Sequence, residues 1–386
     1  MLNRKLRMGM IGGGPGAFIG AVHRIAAGMD GQIELVCGAF SSDPEKSKQA
    51  GDLLNLPSAR IYGSYKEMIR AEKALPPDQR MEIVSIVTPN HVHFEPAQMA
   101  LENGFHVVLD KPMTFDLKEA KELKAIAEKS GLYFCLTHTY TGYPMVKEAR
   151  QQVLSGKFGK IRKVYVEYPQ GWLSTLLEGA ANKQATWRTD PKQSGIAGAM
   201  GDIGTHAFNL AEYVSGLQTT RLCADINIVV DGRQLDDDGA VLLKFSNGAS
   251  GVLMATQIAT GEENNVKVRV YGELGSIEWK QDDANSLLVR WPDKPMEVHR
   301  TGAGYTTGFS RHNTRVPPGH PEGYLEAFAN LYRNFALTVK AKISGDTPTA
   351  EMLDFPGAED GVRGMTFVEK VIASGKSSEK WTDFDD

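Results

Sequence analysis

The feature that most constrains this chain is a run of glycines set between an apolar strand pattern and a helical one. Residues 7–11 form a short strand-like run. Residues 12–20 read Gly-Gly-Gly-Pro-Gly-Ala-Phe-Ile-Gly, and helical periodicity follows over 21–29. A turn of this kind lets the backbone approach a pyrophosphate, and the helix behind it offers N–H groups and the positive end of its dipole. A bare G-x-G match says little, but one that links a strand to a helix at the start of a βαβ unit is far more specific. Gly12 and Gly14 fill the first two places of G-x-G-x-x-G/A and Ala17 takes the third, with Pro15, Gly16, Phe18 and Ile19 completing the candidate loop. An NAD-selective domain usually carries an acid at the end of its second strand, to hold ribose hydroxyls. Here Ser41 and Ser42 stand in that place. Serine accepts a ribose hydroxyl without repelling a 2′-phosphate, so NAD and NADP both stay open. Asp43 reads as the start of the next helix.

Strand runs over 33–39, 83–87, 105–109 and 132–136 alternate with helical patterns over 46–53, 93–103 and 117–129. That alternation predicts an N-terminal Rossmann domain with a doubly wound parallel sheet. Beyond residue 137 the pattern changes. Strand runs at 161–168, 222–230, 240–246, 251–257, 266–271, 276–280 and 286–291 follow one another, with helices only at 144–155, 205–214 and 324–342. Asn247-Gly248 between two of them is a hairpin signal. The expectation is an α/β domain with a large open, mostly antiparallel sheet, and a division into residues 1–137 and 138–386. A length of 386 residues suits two domains.

A formal charge of −4 offers no basic surface for nucleic acid. No apolar run approaches the ~20 residues that span a bilayer, and the first residues lack the apolar core of a signal peptide. Cys37, Cys135 and Cys223 are far apart in apolar contexts and read as reduced core residues, which points to a cytoplasmic location. No metal-ligand spacing occurs. Asp236-Asp-Asp-Gly239 lacks the alternation of a calcium loop and reads as a charged turn.

Three further segments carry a resemblance. They are Thr-Pro-Asn-His-Val-His at 88–93, Asp-Lys-Pro at 110–112, and Gly-Ala-Met-Gly-Asp-Ile-Gly-Thr-His at 198–206. With the glycine turn, and in this order, they resemble the Gfo/Idh/MocA oxidoreductases over nearly the whole chain. The resemblance implies NAD(P)-linked oxidation or reduction at a secondary alcohol of a sugar, sugar derivative or cyclitol. It also implies assembly as a homodimer or homotetramer through the open sheet. A glycosidase that oxidises its substrate transiently, or a non-catalytic sugar- or cofactor-responsive regulator, would use the same fold.

Lys111 follows a parallel strand, at the edge where open α/β sheets bind ligands. As a cation it would favour an alkoxide-like transition state. The family's Glu-Lys-Pro is here Asp-Lys-Pro, which shortens the reach of Asp110. Asp202 and His206 lie four apart at the start of a helix. Histidine has the pKa to accept a proton near neutrality, and the family match assigns that role to His206. Thr88, Pro89, Asn90 and His93 would border the nicotinamide, although Asn90 and His93 also suit turns or caps. Trp187 and Arg188 would wall a sugar site or pack on the core; Tyr168 and His312 are further substrate candidates. His23 reads as structural, and Asn209 as a substrate contact or a plain helix residue.

Overall fold

A buried apolar strand running straight into glycine begins the fold. All of β1 (Leu6–Gly12) except its last residue is buried, as in a strand covered on both faces. There follow α1 (Phe18–Met29), β2 (Ile33–Ala39), α2 (Pro44–Leu53), α3 (Tyr65–Ala74), β3 (Ile83–Val87), α4 (Phe94–Glu102), β4 (His106–Leu109), α5 (Leu117–Ser130) and β5 (Phe134–Leu136). The computed structural model describes residues 2–178 and 182–384 of the chain.

The five strands are parallel, in the order β2-β1-β3-β4-β5. Outside β2, a parallel bridge joins Gly38 to Ile61, and the N–H of Tyr62 donates to the Gly38 carbonyl at 2.9 Å. Counting this remnant as a strand gives the order 3-2-1-4-5-6 of a dinucleotide-binding sheet, with its switch point between β1 and β3. Asp43 caps α2, accepting from the N–H groups of Glu45 and Lys46 at 3.0 and 3.4 Å, with Pro44 in the first turn. Its carboxylate is thereby committed to the helix.

Further elements follow along the chain, and their strands build a second sheet. They are α6 (Pro144–Leu154), β6 (Ile161–Pro169), α7 (Lys183–Arg188), α8 (Pro191–Ser194), α9 (Thr205–Ser215), β7 (Thr219–Asn227), β8 (Asp238–Phe245), β9 (Ser250–Thr256), β10 (Lys267–Gly272), β11 (Ser276–Lys280), β12 (Ser286–Arg290), β13 (Glu297–Arg300), α10 (Gly308–His312), α11 (Tyr324–Ile343), α12 (Ala358–Lys376) and β14 (Trp381–Asp383). Nine of the strands form one sheet in the order β13-β12-β11-β10-β6-β9-β8-β7-β14. Every neighbouring pair is antiparallel except β6 and β9. Residues alternate across it: in β8, Val241, Leu243 and Phe245 are buried while Ala240, Leu242 and Lys244 are exposed. α9 and α6 cover the buried face. Gly248 turns the β8–β9 hairpin at φ +87°, as the Asn-Gly pair suggested.

The chain divides into two compact units, Met1–Gly142 with Tyr324–Val362, and Tyr143–Gly323 with Arg363–Asp386. A single cut after residue 137 would leave α11 with the second sheet. Instead the aromatic stripe of α11, Phe328, Tyr332 and Phe335, shares one core with Val22, Ala26 and Ala27 of α1 and with Met8, Met10, Ile83 and Val108 of the parallel sheet. Cys37 and Cys135 are buried, whereas Cys223 is only half-buried on β7, so the third cysteine is not a core residue. No helix among the described residues is long and apolar enough to cross a membrane.

Candidate active site

In the first unit the site starts where β1 ends. A Cβ on Gly14 would stand 2.7 Å from the carbonyl oxygen of Phe40, and one on Gly20 would stand 2.4 Å from Cα of Gly13. The close packing expected of the third fingerprint glycine therefore occurs at Gly20, on α1. Ala17 instead precedes the helix, with its N–H on the Gly14 carbonyl at 3.1 Å. No side chain caps α1, and Arg24 steadies the turn by donating to the Gly13 carbonyl at 2.8 Å. An uncapped helix N-terminus behind a cradle too tight for side chains fits a pyrophosphate. Pro15, Gly16 and Phe18 of this loop are exposed, and Ile19 is half-buried. Ser41 is half-buried, its hydroxyl oxygen accepting from the Asp43 N–H at 3.1 Å, and Ser42 is exposed.

The turns after β3 and β4 are bolted together by His93. Its ring is fully buried, with Nδ1 2.8 Å from the Pro112 carbonyl and Nε2 2.8 Å from the Thr88 carbonyl. Burial pulls the ring below the usual histidine range, against Asp110 and the two carbonyls, which favour its charged form. His93 was expected to border the cofactor; instead both ring nitrogens join Thr88 to the Lys111–Pro112 turn. Asn90 is buried in the one-turn helix Asn90–Val92, and Thr88 and Pro89 are half-buried just before it.

Lys111 and Pro112 are joined by a cis peptide. Oδ1 of Asp110 accepts from the Lys111 N–H at 2.9 Å and from the Thr137 hydroxyl at 3.0 Å. Burial works to raise the Asp110 carboxyl, but attraction to His23, Lys111 and His93 outweighs it and holds the acid well below the usual carboxylate range. The shorter Asp thus anchors the backbone of the lysine turn. His138 is buried nearby. Burial and then the charge of Lys111 pull its ring down to about 3, with Asp110 opposing. Sequence reasoning missed His138, which carries no motif.

In the second unit, the single parallel pair of strands brings two strand ends to one edge, with Pro169 opposite Thr256. Tyr168, Gln170 and Gln257 lie there. Gln257, buried, donates to Oδ2 of Asp202 at 2.9 Å, and Arg188 faces the same oxygen at 3.6 Å. The guanidinium of Arg188 also lies over the Trp187 ring at 4.3 Å. Tyr168 donates to Asn264 at 2.7 Å, and its ring is 6.4 Å from that of His206. Trp172 donates to Gln170 at 3.0 Å. Asp202, His206, Tyr168, Trp187 and Arg188 are thus brought together, joined by Gln170, Gln257, Asn264 and Trp172, which the sequence did not single out. His206 and Asn209 are both buried on α9. His312 ends α10, which packs chiefly on α6.

Asp202 belongs to a π-helical turn, Met200–Gly204, that runs into α9. π-turns are rare and concentrate at functional sites. This one is held from below. Asp236 is buried, and its carboxylate accepts from the N–H groups of Gly198 and Met200 at 2.6 and 2.7 Å. A Cβ at Gly198 would stand 2.1 Å from the Asp236 carbonyl oxygen, so the glycine permits close approach of backbone to backbone. Asp237 is buried too, accepting from Val229 and Val230 at 2.8 and 2.9 Å and from Arg233 at 3.1 Å. The acidic run that reads as a charged turn supplies two buried, backbone-bound carboxylates.

Comparison with known proteins identifies the family. Residues 6–138 match the family model described as an oxidoreductase family with an NAD-binding Rossmann fold, and residues 146–278 match the GFO/IDH/MocA C-terminal domain. The uncharacterized oxidoreductase YfiI of Bacillus subtilis is 32% identical, over 100% of this chain and 98% of its own. An oxidoreductase from Sinorhizobium meliloti is 42% identical with a TM-score of 0.89, covering 98% of this chain and 100% of that one. An inositol dehydrogenase homolog from Azotobacter vinelandii, solved with NAD+, is 33% identical with a TM-score of 0.93, covering 99% and 98%. An inositol dehydrogenase homolog from Azotobacter vinelandii has also been solved with NADH and myo-inositol. This chain belongs to the Gfo/Idh/MocA oxidoreductases, and residues 6–138 of its first unit are their NAD-binding Rossmann domain.

Proposed function

We propose that this protein is a dehydrogenase that moves a hydride between NAD(P) and a secondary alcohol of a sugar, sugar derivative or cyclitol. The observation that carries the reading is the Asp202 cluster. A buried histidine lies one helical turn from a carboxylate that Gln257 and Arg188 already hold in place, among amide, phenol and indole groups suited to a polyol. The cyclitol bound by the Azotobacter relative supports the substrate class.

Residues 12–19 would cradle the pyrophosphate, Ser41 and Ser42 the ribose, and Thr88, Pro89 and Asn90 the nicotinamide end. When bound, the nicotinamide supplies the hydride acceptor for the carbinol carbon. His206 takes the hydroxyl proton as the carbonyl forms. Asp202 steadies the resulting imidazolium, as the acid does in a triad. Lys111 stabilises the alkoxide character of the transition state. Trp187, Arg188 and Tyr168 line the substrate side.

The purified chain with NAD+ and a polyol panel should develop the nicotinamide absorbance band with at least one member. Lys111→Met should lower kcat by about 10²- to 10³-fold, the usual loss when an oxyanion-stabilising group is removed. No response to any polyol with either cofactor would overturn the reading, and an undiminished rate in the variant would overturn the role of Lys111.

We propose also that copies meet through the exposed face of the nine-stranded sheet, where Leu242, Val298 and Trp381 stay exposed. Sedimentation of the purified chain should give a dimer or tetramer; a monomer at micromolar concentration would refute it.

A further inference from the structure

Beneath the Lys111 turn, a line of polar side chains runs through the apolar core of the first unit. Ser85 on β3, Tyr332 on α11 and His23 on α1 are fully buried or nearly so. The Tyr332 hydroxyl is 2.8 Å from Oγ of Ser85 and 2.7 Å from Nδ1 of His23. The other ring nitrogen of His23, Nε2, has no hydrogen bond and faces Oδ1 of Asp110 at 3.8 Å. That is the oxygen that holds the Lys111 N–H and the Thr137 hydroxyl. Three elements distant in sequence thus converge on one carboxylate oxygen.

The polarity of the line follows from the ends. A carboxylate only accepts, so the favourable His23 tautomer carries its proton on Nε2, towards Asp110. Nδ1 of a neutral ring then accepts from the Tyr332 hydroxyl, and the Tyr332 oxygen accepts from Ser85. Every proton in the line points at Asp110. Phe328 and Tyr332 pack edge-on against the His23 ring, at centroid distances of 4.7 and 5.8 Å, and fix its plane. A serine, a histidine and an aspartate in a row suggest nucleophilic catalysis, but Ser85 and His23 have no exposed surface, so no substrate reaches them. What this line can do is hold Asp110 in place.

We propose that His23, oriented by Tyr332, is a positioning residue for Lys111. Its Nε2–H keeps the Asp110 carboxylate turned towards the Lys111 backbone and Thr137, and so sets where the lysine ammonium is presented. The inference rests on the reading of Lys111 as a residue that acts on the substrate. The line also gives the buried histidine of α1 and the tyrosine of α11 a task beyond filling space.

Four variants of the full chain test this: Tyr332→Phe, His23→Phe, His23→Gln and Lys111→Met. Tyr332→Phe removes one oxygen from the core and keeps the ring. With the best polyol of the panel, Tyr332→Phe and His23→Phe should lower kcat by about 10- to 100-fold, the scale of a small misplacement of a reacting group, with NAD+ affinity unchanged. His23→Gln, which keeps a donor near the Nε2 position, should recover most of the loss. Ring nitrogen NMR of the wild type should show His23 as the Nε2–H tautomer, with Tyr332→Phe mixing the two. Full kcat in both aromatic variants while Lys111→Met is impaired would overturn the inference alone. So would a His23→Gln variant as slow as His23→Phe, or an Nδ1–H tautomer in the wild type. An unimpaired Lys111→Met would overturn the reading of Lys111, and the inference with it.

Discussion

His206→Asn should bind NAD+ as the wild type does and turn over polyol about 10²- to 10⁴-fold more slowly, the range lost with a positioned general base. The separation follows from where the residue sits. His206 lies in the first turn of α9 in the second unit, whereas the glycine cradle belongs to the first. Asparagine is smaller and polar, so the buried site loses its proton acceptor without gaining an unpaired charge. Isothermal titration with NAD+ and steady-state kinetics check the two halves. A variant within about tenfold of the wild-type rate, a barrier change of only ~1.4 kcal/mol, would move the proton acceptor elsewhere.

The second large effect is on stability in acid. Burial, with help from Lys342 and against Glu82, pulls the His106 ring down to about 4, and its Nδ1 accepts from the Tyr133 N–H at 2.9 Å. His138 is pulled down to about 3. An unfolded histidine takes its proton near 6.5, whereas these two stay neutral in the fold until far lower pH. Between those limits the unfolded chain binds more protons, so stability rises with pH and is lost as pH falls. The contribution is fully present above 6.5. It declines below that by about 1.4 kcal/mol per pH unit for each ring, until about pH 4 for His106 and about pH 3 for His138. At pH 4.5 the two together should have removed roughly 5 kcal/mol, a large share of the ~5–15 kcal/mol that holds an ordinary domain. Urea titrations at pH 7, 6 and 5 measure the slope. His106→Asn keeps an acceptor for the Tyr133 N–H but does not titrate, and should flatten the slope by about 1.4 kcal/mol per pH unit. An unchanged slope would mean that His106 is already exposed to solvent protons in the native protein.

What the sequence disclosed follows the range of the interactions involved. The glycine turn, the alternation of buried strands with helices and the Asn247-Gly248 hairpin are local signals, and each stands in the structure as expected. α12 went unread because Gly361, Gly364 and Gly375 dilute its periodicity, although it is 19 residues long. α3 was missed for want of apolar residues, since its pattern rests on Met68 and Ile69. The parts of the site that escaped are those made by non-local pairing. Gln257 meets both Asp202 and Gln170 only because β6 and β9 run parallel, which no motif announces. Asp236 and Asp237 look like a hydrophilic loop until the backbone N–H groups they satisfy are known. Ala17 took the third fingerprint place by spacing, yet the contact that place serves is made by Gly20, three residues on.

The late return of α11 has a bearing on synthesis. The parallel sheet is complete in sequence by residue 136, but the core over α1 lacks Phe328, Tyr332 and Phe335 until nearly 200 further residues have been joined. A nascent chain emerging at about 5–20 residues per second would carry that uncovered aromatic-sized gap for roughly ten seconds or more. Throughout that interval the nicotinamide-binding half is an unfinished, sticky intermediate of the sort chaperones attend to. The same circumstance argues against expressing residues 1–137 as a minimal cofactor-binding fragment. Joining residues 324–362 to it through a short linker is the more promising excision.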